Sequence, residues 1–101
     1  MTPPLASNIG HDIWVGGNKS RTEHKAIAVN VCWTAERDGE TNVPFGDSYL
    51  SGSNWLAAVH AFKIAMNLRY YHPQMLIRCQ KGLNRSTLIA GGILIAEGVP
   101  P

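Results

Sequence analysis

The first third of the chain contains two short apolar stretches, and in one of them apolar residues alternate with small or polar ones. The second, "AIAVNVCW" (residues 26–33), shows the alternation, whereas the first, "DIWVGG" (residues 12–17), is a short apolar run that a glycine turn closes. Both patterns are typical of β-strands. One face of the second stretch carries Ile27, Val29, Val31 and Trp33. Its other face is small rather than charged, which indicates that both faces are covered, as in a parallel sheet.

The middle of the chain carries a longer pattern with helical spacing. A helix is predicted over residues 55–70, with Ser53 or Asn54 as its cap and Pro73 beyond its end. The spacing is carried by Leu56, Val59, Phe62 or Lys63, Met66 and Tyr70. We interpret Trp55, Phe62 and Met66 as core residues.

A strand and a second helix are predicted after that. "QMLIRC" (residues 74–79) reads as a short buried strand. "RSTLIAGGILIAEG" (residues 85–98) reads as a helix that Gly91 and Gly92 weaken and Gly98 ends.

The remaining segments are polar connections. Residues 18–25 could form a short helix capped by Asn18, residues 34–41 a loop, and residues 42–53 an extended segment broken by Pro44 and Gly46. Strands that alternate with helices predict an α/β fold with a small, mostly parallel central sheet flanked by helices. We expect a single domain over residues 1–101, with residues 1–8 as a flexible arm.

Composition narrows the class of protein. The 101 residues suffice for one modest core, and 45% hydrophobic with 16% charged residues is typical of a folded, soluble domain. The net charge of +2 is small and its basic residues are scattered, which argues against a dedicated nucleic-acid binder. No stretch is long and apolar enough for a membrane span or typical of a signal peptide, so we expect a cytoplasmic protein. Two cysteines are too few for a disulfide-stapled fold, which leaves a thiol for chemistry.

The turn between the last strand and the last helix, "CQKGLNRS" (residues 79–86), concentrates chemical groups. Ligands of open α/β sheets bind at the carboxyl ends of the strands, and the first turn of a helix suits an anion. Gly82 allows close approach of the backbone, and Arg85 adds a forked donor that matches two phosphoryl oxygens. A thiol in such a place ionises readily, with pKa values of about 3.5 to 7.5. Cys79 is therefore a candidate nucleophile for a phosphate monoester.

This turn fits the C-x5-R-[S/T] signature and resembles the loop of the cysteine-dependent phosphatases, in particular their dual-specificity branch. "IWVGGNKSR" is similar to the early strand and glycine turn of that branch, "AIAVNVCW" to its next parallel strand, and "VPFGDSYL" to the segment with its general acid. The resemblance covers most of residues 9–97, and its loop signature is fairly specific.

The resemblance implies a mechanism without a metal or other cofactor. Cys79 would attack phosphorus, Ser86 would stabilise the departing thiolate, and Asp47 would act first as general acid and then as base. The transferred oxygens would be held by the loop residues Gln80, Lys81, Gly82, Leu83, Asn84 and Arg85. The expected substrate is a protein or peptide with phosphotyrosine, or with phosphoserine or phosphothreonine. His11, His24, His60 and His72 show no spacing typical of metal ligands.

The chain departs from the family in two ways. Arg78 occupies the position where the family usually has a histidine that helps to order the loop, and its positive charge could favour the thiolate. The family also continues beyond the last helix with further helices, which are shortened or absent here. Either the sequence is a fragment or minimal form, or a second copy in a homo-oligomer covers the apolar face left exposed.

Simpler interpretations compete at each position. Cys79 could be an ordinary buried cysteine, Asp47 a plain turn residue, and Asp38 a rival acid in a polar loop. Cys32 could form a protective disulfide with Cys79, although a small buried residue is the more common role.

Two other functions stay open. One is a catalytically inactive module that binds phosphate or a phosphopeptide. The other is hydrolysis of RNA 5′-triphosphate ends, because "GLNRS" resembles the loop of those enzymes in the same superfamily. The small net charge does not favour RNA as the substrate. Lys81 could also favour a more highly charged substrate, such as a phosphoinositide.

Overall fold

The structure is a computed structural model that describes residues 6–17, 26–32, 39–46, 52–79 and 85–99. Its elements, in chain order, are β1 (Ser7–Gly10), β2 (Ile13–Gly16), β3 (Ile27–Asn30), β4 (Thr41–Asn42), α1 (Gly52–Tyr71), β5 (Met75–Arg78) and α2 (Arg85–Ala96). The predicted strands at residues 12–17, 26–33 and 74–79 and both predicted helices are therefore present. The short helix predicted over residues 18–25 lies outside the described residues.

The five strands form one sheet in the order β1-β2-β5-β3-β4. β1 runs antiparallel to β2, and the other three neighbouring pairs are parallel. The predicted α/β class with a mostly parallel sheet is confirmed. β5 lies in the centre, so that Arg78 at its end stands opposite Gly16 of β2 and Asn30 of β3. The residue that follows β5 therefore leaves the middle of the sheet at its carboxyl edge.

Both helices pack on the same face of the sheet. The apolar side chains of the strands on this face, Ile13, Val15, Val29, Val31, Met75 and Ile77, form one core with residues of α1 and α2. The other face is also buried at its centre, since Trp14 and Leu76 are almost inaccessible to solvent. The prediction that both faces of the sheet are covered holds for these central positions.

The buried face of α1 differs from the predicted one. Ala58, Ala61 and Ala65 are buried in the core, whereas Trp55 and Leu56 are exposed by 52% and 69%. Small side chains let the helix axis approach the sheet closely, and the large apolar residues then point sideways or outward. Phe62 and Met66 are partly buried against the core, as predicted, but the prediction that Trp55 is a core residue was wrong.

The amino-terminal ends of two elements also differ from prediction. α1 begins at Gly52, so neither Ser53 nor Asn54 precedes it as a cap. Ser7 and Asn8, predicted to lie in a flexible arm, pair with β2 as part of β1. A two-residue turn joins these strands, with positive φ at both His11 and Asp12. Such turns usually contain asparagine or glycine, so His11 and Asp12 are a weak signal for this hairpin.

The end of α2 follows the prediction. Gly98 has a φ of 93°, and its N–H and that of Val99 bond to the carbonyls of Ile95 and Leu94. This is the Schellman arrangement, in which a glycine adopts the left-handed conformation that ends a helix. None of the helices among the described residues is both long and apolar enough to cross a bilayer.

Candidate active site

Backbone hydrogen bonds hold Cys79 at the carboxyl edge of the sheet. Its N–H donates to the carbonyl of Gly16 at 3.1 Å, and the N–H of Val31 donates to the carbonyl of Arg78 at 2.9 Å. The ladder thus continues on both sides of β5 up to the cysteine. Cys79 therefore follows β5 in a fixed backbone position.

The Cys79 side chain contacts the first turn of α2. Its Sγ lies 3.4 Å from the Oγ of Ser86, and both residues are buried. Either atom can be the donor in this pair. If the sulfur is a thiolate, the hydroxyl must donate, since a thiolate carries no proton. The structure therefore brings together two of the four predicted catalytic residues.

Arg85, the first residue of α2, is also buried, with a relative exposure of 5%. Its Nη1 donates to the carbonyl oxygen of Phe45 at 3.0 Å. The N–H of Phe45 in turn donates to the carbonyl of Val31, the residue that follows β3. A permanently charged guanidinium is thus held against Phe45, at the same edge of the sheet as Cys79.

The segment that leads to the predicted general acid is anchored to α1. Asn54 accepts a hydrogen bond from the N–H of Gly46 at 2.6 Å and donates one to the Gly46 carbonyl at 3.2 Å. Its side chain therefore binds both polar groups of one residue instead of capping the helix. Asp47 follows Gly46 directly in the sequence but lies outside the described residues. The same is true of its rival Asp38 and of the loop residues 80–84.

Arg78 has a different environment from the one expected. Its Nε donates to the two carboxylate oxygens of Glu40 at 2.9 and 3.1 Å, and its Nη1 donates to the carbonyl of Gly17 at 3.3 Å. Successive strand residues point to opposite faces, and Arg78 is not part of the core that contains Ile77 and Cys79. Its charge is balanced by Glu40 on the face opposite the thiol, so it does not act on Cys79 as an isolated cation.

Two asparagines extend this polar cluster along the carboxyl edge. Asn30, which is 1% exposed, donates from Nδ2 to the Oδ1 of Asn42 at 2.9 Å and accepts from the N–H of Cys32. Asn42 donates from Nδ2 to the backbone carbonyl of Glu40 at 3.1 Å. Sequence reasoning did not single out Asn30 or Glu40. A polar residue inside the apolar stretch "AIAVNVCW" was the available signal, because buried amides need partners.

The two cysteines do not share an environment. Cys79 belongs to the core beneath the helices, whereas Cys32 is buried outside it and follows the core residue Val31. Both are thiols. Side chains directed to opposite faces of a sheet do not meet the geometry of a disulfide without movement of the backbone. The structure therefore favours the interpretation of Cys32 as a small buried residue over a protective disulfide with Cys79.

The polar neighbours of Cys79 distinguish this place from an ordinary core position. A structural core cysteine behaves mainly as a small apolar residue, and burying a hydroxyl or a guanidinium in such a core is costly. Here a buried hydroxyl contacts the sulfur, and a buried guanidinium starts the same helix. The set comprises a nucleophile, a donor to its anion and a cation. It can bind and attack an electron-poor centre that carries anionic oxygens.

Among the described residues, no group of three or more His, Cys, Asp or Glu side chains is placed to hold a metal ion.

Comparison with known proteins does not assign the chain to a family. No protein-family model matches the sequence, and no curated protein matches it.

Proposed function

We propose that this protein is a cysteine-dependent protein phosphatase of the dual-specificity type. It would hydrolyse phosphate monoesters on proteins, phosphotyrosine first and also phosphoserine or phosphothreonine, through a phosphocysteine intermediate. The observation that carries this proposal is the contact of 3.4 Å between the Cys79 sulfur and the Ser86 hydroxyl. It joins the carboxyl end of β5 to the first turn of α2, where Arg85 is also buried.

In the first step of the proposed reaction, the Cys79 thiolate attacks phosphorus and forms a P–S bond. The P–O bond to the substrate breaks, and Asp47 gives its proton to the leaving oxygen. General acid catalysis of this kind contributes about 10²- to 10⁴-fold. The Arg85 guanidinium and the backbone N–H groups of the loop stabilise the charge on the transferred oxygens.

In the second step, water attacks the phosphorus of the phosphocysteine. Asp47, now a carboxylate, takes a proton from the water, the P–S bond breaks, and the thiolate and inorganic phosphate are released. The Ser86 hydroxyl donates to the sulfur as its negative charge returns. The buried contact between the two side chains supports this role.

Two further contacts support the placement of the other groups. The Phe45 carbonyl holds one end of the Arg85 guanidinium, and Asn54 fixes Gly46, the residue before Asp47. The segment that precedes the proposed acid is thus connected both to the proposed anion-binding arginine and to α1. A catalytic acid must be held within hydrogen-bond reach of the leaving oxygen, so such anchoring suits this segment.

The inactive phosphate-binding module is the second candidate. It is favoured by the position of Arg78, whose side chain is paired with Glu40 on the opposite face of the sheet from Cys79. The cation before the cysteine then contributes little to its ionisation. A module of this kind would bind a phosphopeptide through Arg85 and the loop without turning it over.

Metal-independent hydrolysis of an aryl phosphate tests the proposal. The purified chain is assayed with p-nitrophenyl phosphate and with a phosphotyrosine peptide in the presence of EDTA. We expect turnover that Cys79→Ser abolishes and that Asp47→Asn lowers by about 10²- to 10⁴-fold. Cys32→Ser is the matched control, because it changes the other buried cysteine and should retain activity.

Three outcomes would count against this function. Activity that survives Cys79→Ser rejects the mechanism. Calorimetric binding of the phosphopeptide without turnover assigns the chain to the inactive module. Faster phosphate release from triphosphate-ended RNA than from the phosphotyrosine peptide makes RNA the preferred substrate.

A further inference from the structure

The residue before the proposed nucleophile is held by a buried ion pair. The side chains of Arg78 and Glu40 are exposed by only 7% and 12%, and the carboxylate accepts from the guanidinium through both oxygens. Charged side chains are rarely buried to this degree unless they are paired. The pair therefore fixes two chain segments that are far apart in sequence.

The two ends of this pair reach different parts of the sheet. Glu40 directly precedes β4, which pairs with β3. The backbone carbonyl of Glu40 accepts a hydrogen bond from the Asn42 side chain. On the other side, Arg78 donates to the carbonyl of Gly17, the residue after β2. The side chain of Arg78 thus links the residue after β2 to the residue before β4. It does so on the face of the sheet opposite the helices, one residue before Cys79.

The backbone around Cys79 depends on the same segments. The N–H of Cys79 donates to the carbonyl of Gly16, the residue before Gly17. The N–H of Val31 donates to the Arg78 carbonyl, and the Val31 carbonyl accepts from the N–H of Phe45. Phe45 is the acceptor for Arg85. Hydrogen bonds therefore run from the ion pair to the backbone of the nucleophile and to the guanidinium of the proposed site.

We propose that Arg78 and Glu40 are positioning residues for the proposed phosphatase site. Their ion pair fixes the exit of β5 against β2 and β4, so that Cys79 enters the loop in one orientation and its sulfur stays against Ser86. This inference rests on the proposed function for its kinetic consequences. It assigns the pair no contact with the substrate, because both side chains lie on the opposite face of the sheet from the thiol.

The variant Glu40→Gln tests this role, since it keeps the shape of the side chain and removes its charge. We expect kcat for p-nitrophenyl phosphate to fall about 10- to 100-fold, because small displacements of reacting groups have effects of this size. KM should stay within about twofold, since the pair does not contact substrate. Glu97→Gln is the matched control, because Glu97 pairs with Arg69 at the opposite edge of the sheet.

The pH dependence of Cys79 alkylation separates positioning from a direct charge effect. Removal of a nearby negative charge by itself favours the thiolate and lowers the pH midpoint for reaction with iodoacetamide. Displacement of the Cys79 sulfur from the Ser86 hydroxyl removes a donor that stabilises the thiolate and raises the midpoint. We expect the midpoint to rise in Glu40→Gln, with Cys79 followed by peptide mapping and the native fold verified by circular dichroism.

Arg78→Lys is a second variant that tests the same role if Glu40→Gln does not fold. It keeps the positive charge but cannot donate to Glu40 and to the Gly17 carbonyl from separate nitrogens of one planar group, so it should lower kcat in the same way. Unchanged kcat and an unchanged or lowered alkylation midpoint in a folded variant would overturn the positioning role. The alkylation measurement needs no turnover, so it decides the inference even if the wild-type chain proves inactive and the proposed function fails.

Discussion

At the scale of single residues, the sulfur of Cys79 and the hydroxyl of Ser86 form the pair on which the proposed chemistry depends. Ser86 is completely buried, and its Oγ lies 3.4 Å from the sulfur. A hydroxyl can serve a neutral thiol as donor or acceptor, but it can serve a thiolate only as donor. The contact therefore gains strength whenever the sulfur carries charge, both before the attack and when the P–S bond breaks.

Ser86→Ala should slow breakdown of the phosphocysteine more than its formation. Hydrogen bonds to charged groups contribute about 1.5–3 kcal/mol, so we expect kcat to fall about 10- to 100-fold. Because the intermediate then accumulates, a burst of p-nitrophenol should precede slow steady turnover in stopped-flow assays. Thr87→Ala, a change at the exposed neighbour, is the control and should show no burst. A wild-type time course in Ser86→Ala would remove the serine from the mechanism.

At the scale of elements, the two glycines in the middle of α2 have different surroundings. A Cβ built on Gly92 would lie 3.0 and 3.2 Å from ring atoms of Phe62 in α1. On Gly91, a Cβ would meet no heavy atom within 4 Å among the described residues, apart from the backbone of its own helix. Gly92 thus allows the helices to pack closely, whereas Gly91 has no such role.

The two glycines should therefore respond differently to alanine. Gly91→Ala should raise the free energy of unfolding by about 0.5–1 kcal/mol, because glycine within a helix costs that much relative to alanine. Gly92→Ala should be less stable than Gly91→Ala and fall below wild type, because the added Cβ lies too close to the Phe62 ring and forces it to move. Urea denaturation of both variants at equal m-values measures the difference. Equal stabilisation by the two substitutions would show that the helices separate without cost.

The elements also show what the sequence can and cannot predict. A short apolar run before a glycine turn predicted β2, and alternation predicted β3. The Cys79–Arg85 spacing predicted which strand and helix would meet. All three are local patterns. The inner face of α1 could not be predicted, since Ala58 and Ala61 give a weaker apolar signal than Trp55. Arg78 binds Glu40 and Arg85 binds Phe45, and each partner lies about 40 residues before its arginine in the sequence. Only the strand order determines such contacts.

At the scale of the whole molecule, Arg69 connects the ends of elements at the edge of the sheet opposite the proposed site. It donates from Nε and Nη2 to the carboxylate of Glu97 at 2.9 and 3.1 Å. Its guanidinium also donates to the backbone carbonyls of Pro73 and His11. One side chain thus joins the end of α1, the residue after α2, the β1–β2 turn and the connection to β5. This contact set stabilises the fold at a distance from the chemistry.

The ion pair gives this edge a defined pH dependence. The hydrogen bond from Arg69 lowers the pKa of Glu97 below its ordinary value, outweighing the opposite effect of partial burial, and the charges of Arg69 and His11 add to the lowering. A carboxyl whose pKa is lower in the folded state stabilises the fold above its unfolded pKa, which is about 4.3. That contribution is lost as the pH falls through the lower, folded pKa.

Glu97→Gln should therefore destabilise the protein at pH 7 and have a smaller effect at pH 3. The side chain is 28% exposed, so we expect a loss of about 0.3–1 kcal/mol at pH 7. Urea denaturation at both pH values measures it, and a double-mutant cycle with Arg69→Met separates the pair from the contacts of Arg69 with Pro73 and His11. Phosphatase activity should be unchanged, because this edge lies opposite Cys79. A destabilisation that is the same at both pH values would show that Glu97 acts through its shape and hydrogen bonding and not through its charge.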